Sequence, residues 1–331
     1  MKSHRHAEKG ERMEWNDIIV EQEKDHDQHR GDDRVGIIDL GSNSVRLSVY
    51  KWAEGRLVQI FTKTETVGLA SYVDSSRNLT EDGYRKSEDI LVEYLKTTRQ
   101  LGVTDVSIIA TASLRNIENA PHVLRQLEAR IGRPIDLLSG EREAECDLEG
   151  VRQIYDITEG VVVDIGGGST EVVVFRGGRS ELALALPIGS LTAYLDHVQG
   201  LTPTLVEVED IAEHVVRELV KNKIPKDLKL PLYGVGGTLR AANKLVNGVM
   251  LHDVANKTID AGDLKRIARM AETQPKILLL NVIREMPDRI HTIFPGITIL
   301  RTIARWVGTD VIHVSAFGVR EGYLQKRLTA D

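Results

Sequence analysis

The chain has 331 residues, of which 41% are apolar and 28% charged, enough for about two domains with a real core. Its 43 Lys/Arg against 49 Asp/Glu give a net charge of −6, and no basic stripe dominates any segment, which argues against general nucleic-acid binding. A single cysteine, Cys146, excludes an intrachain disulfide and suits a reducing cytoplasm. No apolar run reaches the ~18 residues of a membrane span and no secretion signal is evident.

Residues 1 to 34 carry seven Lys/Arg and ten Asp/Glu with few aliphatics. Such a segment buries too little surface to offset chain entropy and reads as a disordered tail, its DHDQH run as solvated charge. From Val35 short strands and helices alternate. RVGIIDLGSNSVRLSVYKW reads as strand, turn, strand, and RLVQIFTKTETVGL as a third strand. Thr80 then suits an N-cap, Ile90, Leu91, Tyr94 and Leu95 share a helical face, and Gly102 suits a helix stop. A strand VSIIATAS, a helix near 117–131, a strand IDLLSG and a helix from Glu141 to Tyr155 complete this half. Cys146 falls in that helix and reads as a small buried thiol.

VVVDIGGGSTEVVVF at 161–175 restarts the pattern, followed by the strand SELALALPIGS. Helices are expected near 190–198, 204–222, 238–246, 263–272, 275–283 and 297–308, with strands PLYGVGG and DVIHVSA between them. The order of elements predicts an α/β protein with mixed sheets covered by helices. We set the domains at 35–157 and 158–331, with the last helix free to pack back on the first.

GIIDLGSNSVRLSVY at 36–50 and VVVDIGGGSTEVVVF are echoes, since Asp39 and Asp164 each end an apolar strand before a Gly/Ser turn and a second strand. Duplicated units of domain size face each other across a cleft. A tight glycine turn gathers backbone N–H groups into an anion-binding nest, and Ser42, Asn43, Ser44, Ser169 and Thr170 add donors. One such turn alone is often only a turn; two opposed turns, each with an Asp, would clamp a phosphate chain and its Mg²⁺. A third turn, YGVGGTLRAAN, ends a strand and opens a helix whose N-terminus favours anions, although ordinary packing produces the same pattern. His252 and Asp253 lack further ligands at workable spacing and do not read as a metal dyad.

Six motifs, IIDLGSNSVRL, ATASLRNIENA, LLSGEREAECDLEGV, VVDIGGGSTEVVVF, YGVGGTLRAAN and VSAFGVREGYL, together resemble the exopolyphosphatase / guanosine pentaphosphate phosphohydrolase (Ppx/GppA) family. That family is part of the acetate and sugar kinase, heat-shock chaperone and actin superfamily. The resemblance spans about 34–328 and implies two actin-like (ribonuclease H-like) domains facing across a cleft. It implies Glu143 as the general base for water and Arg115 as a phosphate contact near the reaction centre. It matches Gly41, Ser42, Asn43 and Ser44 to the first phosphate loop, and Gly166, Gly167, Gly168 and Ser169 to the second. Gly236, Gly237 and Thr238 fall on the third motif, and Asp39, Asp164 and Glu171 on acids around the phosphates and the Mg²⁺ (or Mn²⁺). On position alone, Glu143 could equally complement its helix dipole, as Glu141 and Glu145 can.

The implied activity is Mg²⁺-dependent release of orthophosphate from inorganic polyphosphate, from guanosine pentaphosphate, or from both. The alternatives are a polyphosphate- or nucleotide-dependent kinase and a nonenzymatic nucleotide sensor. The family also implies a cytoplasmic homodimer, with neither nucleic acid nor membrane as partner. The sequence departs from the family in lacking an arginine soon after Pro187-Ile188-Gly189, and it does not extend into the C-terminal helical module of longer relatives.

Overall fold

A computed structural model describes residues 33–330. The charged segment 1–32, with its expected disorder and its DHDQH run, lies outside the described residues. The first sheet holds β1 (Arg34–Leu40), β2 (Ser44–Ala53), β3 (Arg56–Thr66), β4 (Asp105–Ala110) and β5 (Asp136–Leu137), in the order β3-β2-β1-β4-β5. The second holds β6 (Gly160–Ile165), β7 (Thr170–Arg176), β8 (Arg179–Leu186), β9 (Leu232–Val235), β10 (Thr258–Asp260) and β11 (Val311–Val314), in the order β10-β11-β9-β6-β7-β8. In each sheet three antiparallel strands joined by tight turns continue into parallel strands reached through helices. Apart from the edge strand β10, the two orders are the same, so the echo in the sequence is a repeat of architecture.

Local signals set most boundaries. α1 (Glu81–Gln100) begins at Thr80, whose side chain accepts from the Gly83 N–H, and Gly102 beyond its end has φ 71°. Its Ile90, Leu91, Tyr94 and Leu95 are buried against Ile38, Leu40 and Leu47 of the sheet, as helical periodicity requires. The expected strand VSIIATAS is shorter than its apolar run. β4 stops at Ala110, and α2 (Ala112–Arg115) turns the chain so that Ser113 donates to the Leu40 carbonyl at 2.5 Å.

Between the sheets lie two helices, each packed on the sheet of the opposite half. α4 (Gly140–Arg152) comes from the first half and lays Ala144, Leu148 and Val151 on Val162, Val173 and Val235 of the second sheet. α11 (Val319–Leu328), the last helix, packs Val319 and Leu324 with Val35 and Ile37 of β1. The two helices touch through glycines. A Cβ on Gly322 would collide with the Cys146 carbonyl, and one on Gly150 with the Gly318 backbone. Backbones this close lock the helix pair, which fixes where Glu143 on α4 and Arg320 on α11 emerge. Cys146 is part of this contact, and burial pushes its thiol up to about 11, which suits packing and not nucleophilic chemistry.

Replacing Gly322 by Ala should therefore cost about 3 kcal/mol or more, because neither facing backbone can yield. Gly262→Ala, where nothing lies within 4 Å, should stay within about 0.5 kcal/mol of the parent. Urea unfolding of both variants checks this; equal midpoints would show that the helix pair tolerates a methyl group.

Candidate active site

The two glycine turns meet. Asp39 and Asp164 end the central strands β1 and β6, and each turn closes with the same bond, Gly41 N–H to Ser44 O at 3.1 Å and Gly166 N–H to Ser169 O at 3.0 Å. A Cβ on Gly168 would stand 2.6 Å from Ser42 Oγ, and one on Gly167 would stand 3.2 Å from Asn43. The two turns are thus in close contact where the halves touch.

The carbonyls of both turns are taken from behind. α5 (Ser190–His197) begins beneath the second turn, with Ser190 N–H donating to Gly166 O at 2.8 Å and Leu191 N–H to Gly167 O at 2.9 Å. Since a trans peptide points its N–H opposite its C=O, the N–H groups of Gly167 and Gly168 face away from α5. In the first turn Ala70 N–H donates to Ser42 O, and Val67 and Gly68 N–H to Asn43 O, which orients the Asn43 and Ser44 N–H groups in the same manner. All of these turn residues line one cleft of about 120 Å³, as do Asp39, Asp164, Glu143, Gly236, Gly237 and Thr238. The third turn opens α7 (Gly236–Met250), where Gly236 has φ 82° and a Cβ would strike the Asp164 carboxylate.

Four arginines given no role from the sequence, three of them within its motifs, line the same cleft: Arg46 of β2, Arg240 of α7, Arg289 and Arg320. Arg320 Nη1 stands 3.4 Å from Asp39 Oδ2. Arg46 is pulled down to about 9, first by the charge of Arg320, then by burial and Arg240. Cations crowded in this way mark an anion site.

Arg115 and Glu171 stand beside the cleft and not on its wall. Arg115 Nη1 donates to Glu143 Oε2 at 2.6 Å and to the Leu138 carbonyl at 3.0 Å; its Nη2 reaches Glu171 Oε1 at 3.3 Å and Ser169 Oγ at 3.4 Å. Its fork is thus spent on the protein's own acids, and it opens on a neighbouring recess with Gly140 and Ser169. Glu171, 2% exposed, accepts from Ser169 Oγ at 2.5 Å and stands behind the second turn, off the cleft wall. Glu143 does line the cleft. Ser139 caps its helix, accepting from the Arg142 N–H, and Arg115 holds its carboxylate. Glu145 pairs with Lys326, and His252 with Asp263, neither near the cleft.

Burial raises every acid here. Asp164 is pushed up to about 6 by burial, against the pull of Arg240, and Glu171 to about 7 by burial and the charge of Asp164. Glu143 is raised well above its ordinary value by burial and then by Glu171, with Arg115 opposing. Asp39 is raised by burial, with Arg320 opposing.

The profile of the Ppx/GppA phosphatase family matches residues 48–330. The chain belongs to this family. Among curated relatives, a Vibrio cholerae protein described as guanosine-5′-triphosphate,3′-diphosphate pyrophosphatase is 25% identical over 288 residues, covering 86% of this chain and 57% of its own. The chain thus spans little more than half of that relative. The crystal structure of the Aquifex aeolicus Ppx/GppA family member is 29% identical with a TM-score of 0.74, over 90% of this chain and 98% of that one. An exopolyphosphatase structure from Cytophaga hutchinsonii, 20% identical with a TM-score of 0.78 over 90% and 98% of the two chains, shares the fold. Both sheets therefore belong to actin-like domains of the Ppx/GppA type.

The raised acids set the pH dependence of stability. Glu171 and Asp164 hold protons in the folded state that the unfolded chain releases from about pH 4, so their contribution is full below pH 4 and is lost as pH rises through about 6 to 7. Without added anion or divalent ion, Tm should fall between pH 5 and pH 8, and Glu171→Gln should flatten part of that slope. A Tm that rises over this interval would show that the acids are ionised and compensated.

Proposed function

We propose that this chain hydrolyses terminal phosphoanhydride bonds, releasing orthophosphate from inorganic polyphosphate or the 5′ γ-phosphate from guanosine pentaphosphate. The observation that carries this reading is Glu143, an acid with raised affinity for protons, on the wall of a cleft formed by two glycine turns and four arginines. The described activity of the Vibrio cholerae relative supports the guanosine substrate; polyphosphate rests on the family resemblance.

Phosphoryl transfer to water asks mainly for charge dispersal and an aligned nucleophile. The turn N–H groups and the cleft arginines would hold the phosphate oxygens. Glu143 would accept a proton from the attacking water as its oxygen closes on phosphorus and the bridging oxygen leaves with the shortened chain. Arg115, which fixes the Glu143 carboxylate, acts as a positioning residue in this arrangement.

Among the described residues no three His, Cys, Asp or Glu side chains converge as a cage. Mg²⁺ needs only one or two carboxylates when phosphate and water complete its shell. Asp39 and Asp164, both on the cleft wall, fit Mg²⁺ or Mn²⁺ on that basis. Such an ion would neutralise charge on the phosphate oxygens. Glu171, which feels the charge of Asp164, would add negative charge behind the ion. Among the described residues no helix is long and apolar enough to cross a membrane; cytoplasmic location and a homodimer complete the proposal, the latter checked by sedimentation.

Glu143→Gln should lower kcat by about 10² to 10⁴, the usual worth of a general base, with phosphate binding retained. Parent kcat should climb with pH on its acid limb as Glu143 loses its proton, and the variant should lack that limb. Full activity of Glu143→Gln would remove the base. Assays with polyphosphate or guanosine pentaphosphate, each with and without ADP present, should release orthophosphate and form no ATP; ATP made from ADP as the donor chain shortens would establish a transferase instead.

A further inference from the structure

A pocket of about 240 Å³ lies among four helices of the second half, α6 (Leu205–Lys221), α8 (Ala261–Thr273), α9 (Pro275–Glu285) and α10 (Ile293–Val307). Of its lining, Ile267, Leu278, Phe294 and Ile297 are buried while Leu205 and Pro275 are exposed, so the space runs from the apolar core to the surface. Packed interiors leave few gaps of this size; here the small Ala268 and Ala271 of α8 leave it open. The pocket is separate from the cleft, and α10 is the partition. Phe294, Ile297, Thr298 and Arg301, at i, i+3, i+4 and i+7, share the face turned to the pocket. On another face a Cβ on Gly296 would stand 2.3 Å from Thr238 Cγ2 and 3.4 Å from Ser190 Cβ, both residues of the cleft wall.

Among the described residues that line the pocket, Arg301 is the one cation and Glu272 the one acid. Arg301 is half-buried, and its guanidinium makes no hydrogen bond or salt bridge among the described residues. Burial lowers its hold on its proton first and the charge of Arg305 second; the opposing influence of Glu272 is weaker. Glu272 is exposed, where water screens its charge. A guanidinium with five donors, partly drawn out of water beside an apolar space and pressed by a second cation, calls for an anion.

We infer that this pocket binds a monocarboxylate with a short apolar body, its carboxylate on Arg301 and its chain or ring against Ile267, Leu278 and Phe294. A planar carboxylate meets the guanidinium fork with two parallel hydrogen bonds. Glu272 disfavours more than one negative charge, which sets this ligand apart from the polyanion of the cleft. The volume, below the range of drug-sized sites, limits the apolar part to a short chain or a single ring. The inference does not depend on the hydrolase reading.

Titration calorimetry of the full chain with hexanoate, octanoate and octylammonium tests it. Each buried CH₂ is worth about fourfold in affinity, so octanoate should bind about tenfold tighter than hexanoate or more. It should also bind about tenfold tighter than octylammonium, which carries the opposite charge on the same chain. Arg301→Gln should weaken octanoate by about tenfold and remove its advantage over octylammonium. Ala268→Phe, which fills the space, should abolish octanoate binding with Tm at or above the parent value. Saturating pyrophosphate should leave the octanoate affinity unchanged. Absence of octanoate binding, equal affinity for octylammonium, or undiminished affinity in either variant would overturn the site. Displacement of octanoate by pyrophosphate would place it in the cleft and overturn the site likewise.

Discussion

Buried carboxylates must be offset or protonated, and this requirement governs the centre of the molecule. Asp39, Glu143, Asp164 and Glu171 cluster where the two halves meet, and each is raised by burial. The cations that offset them cross between the halves. Arg115, from the first half, holds Glu171 of the second; Arg320, from the second, holds Asp39 of the first. Neither half could bury its acids alone without losing a partner, so the site and the association of the halves are the same interaction.

The exchange of α4 and α11 serves that end. Because each helix packs on the opposite sheet and their backbones meet at Gly150, Gly318 and Gly322, the N-terminal turns of both helices open into the cleft. Glu143 arrives from one and Arg320 from the other. The duplicated hairpins are not chemically equal, however. Arg46 pairs in register with Asp39, whereas Glu171 occupies the corresponding place beside Asp164. One end of the cleft is consequently basic, with Arg46, Arg240 and Arg320 sharing a field. Glu143 lines the cleft as well, held by Arg115 from off the cleft wall. A duplication thereby acquires a direction, and a polyanion lying along it would expose a single terminal phosphate to Glu143.

Much of this was legible because it is local. Asp-Leu-Gly-Ser and Asp-Ile-Gly-Gly encode their turns through residues a few positions apart, and α1 declares itself through Thr80 and its apolar face. The arginines are another matter. Arg46, Arg240 and Arg320 each lie within a motif, IIDLGSNSVRL, YGVGGTLRAAN and VSAFGVREGYL, but these and Arg289 stand far apart in the chain, and only the fold assembles their charges. The short β10 carries no signal of its own, because Thr258–Asp260 is too brief for alternation to show. Glu171 illustrates the opposite case. Its cross-strand pairing with Asp164 follows from the hairpin, yet Ser169 and Arg115 draw its carboxylate behind the turn, a tertiary choice that spacing does not carry.

The site holds two kinds of electrostatic tension at once. Arg46 is depressed by neighbouring cations, while Asp164 and Glu171 are raised by burial, and Glu171 further by the charge of Asp164. An anion relieves the first and a cation the second. In the proposed arrangement the arginines would hold phosphate oxygens and Asp39 and Asp164 a divalent ion, so each charge would lower the cost of admitting the other. Binding free energies coupled in this way are reciprocal, so the cleft should favour a phosphate chain arriving with its divalent ion over either one alone. The same tension explains why so polar a space persists between two apolar cores: the helix pair and the meeting glycine turns hold it open, and the charges within it suit a ligand of both signs.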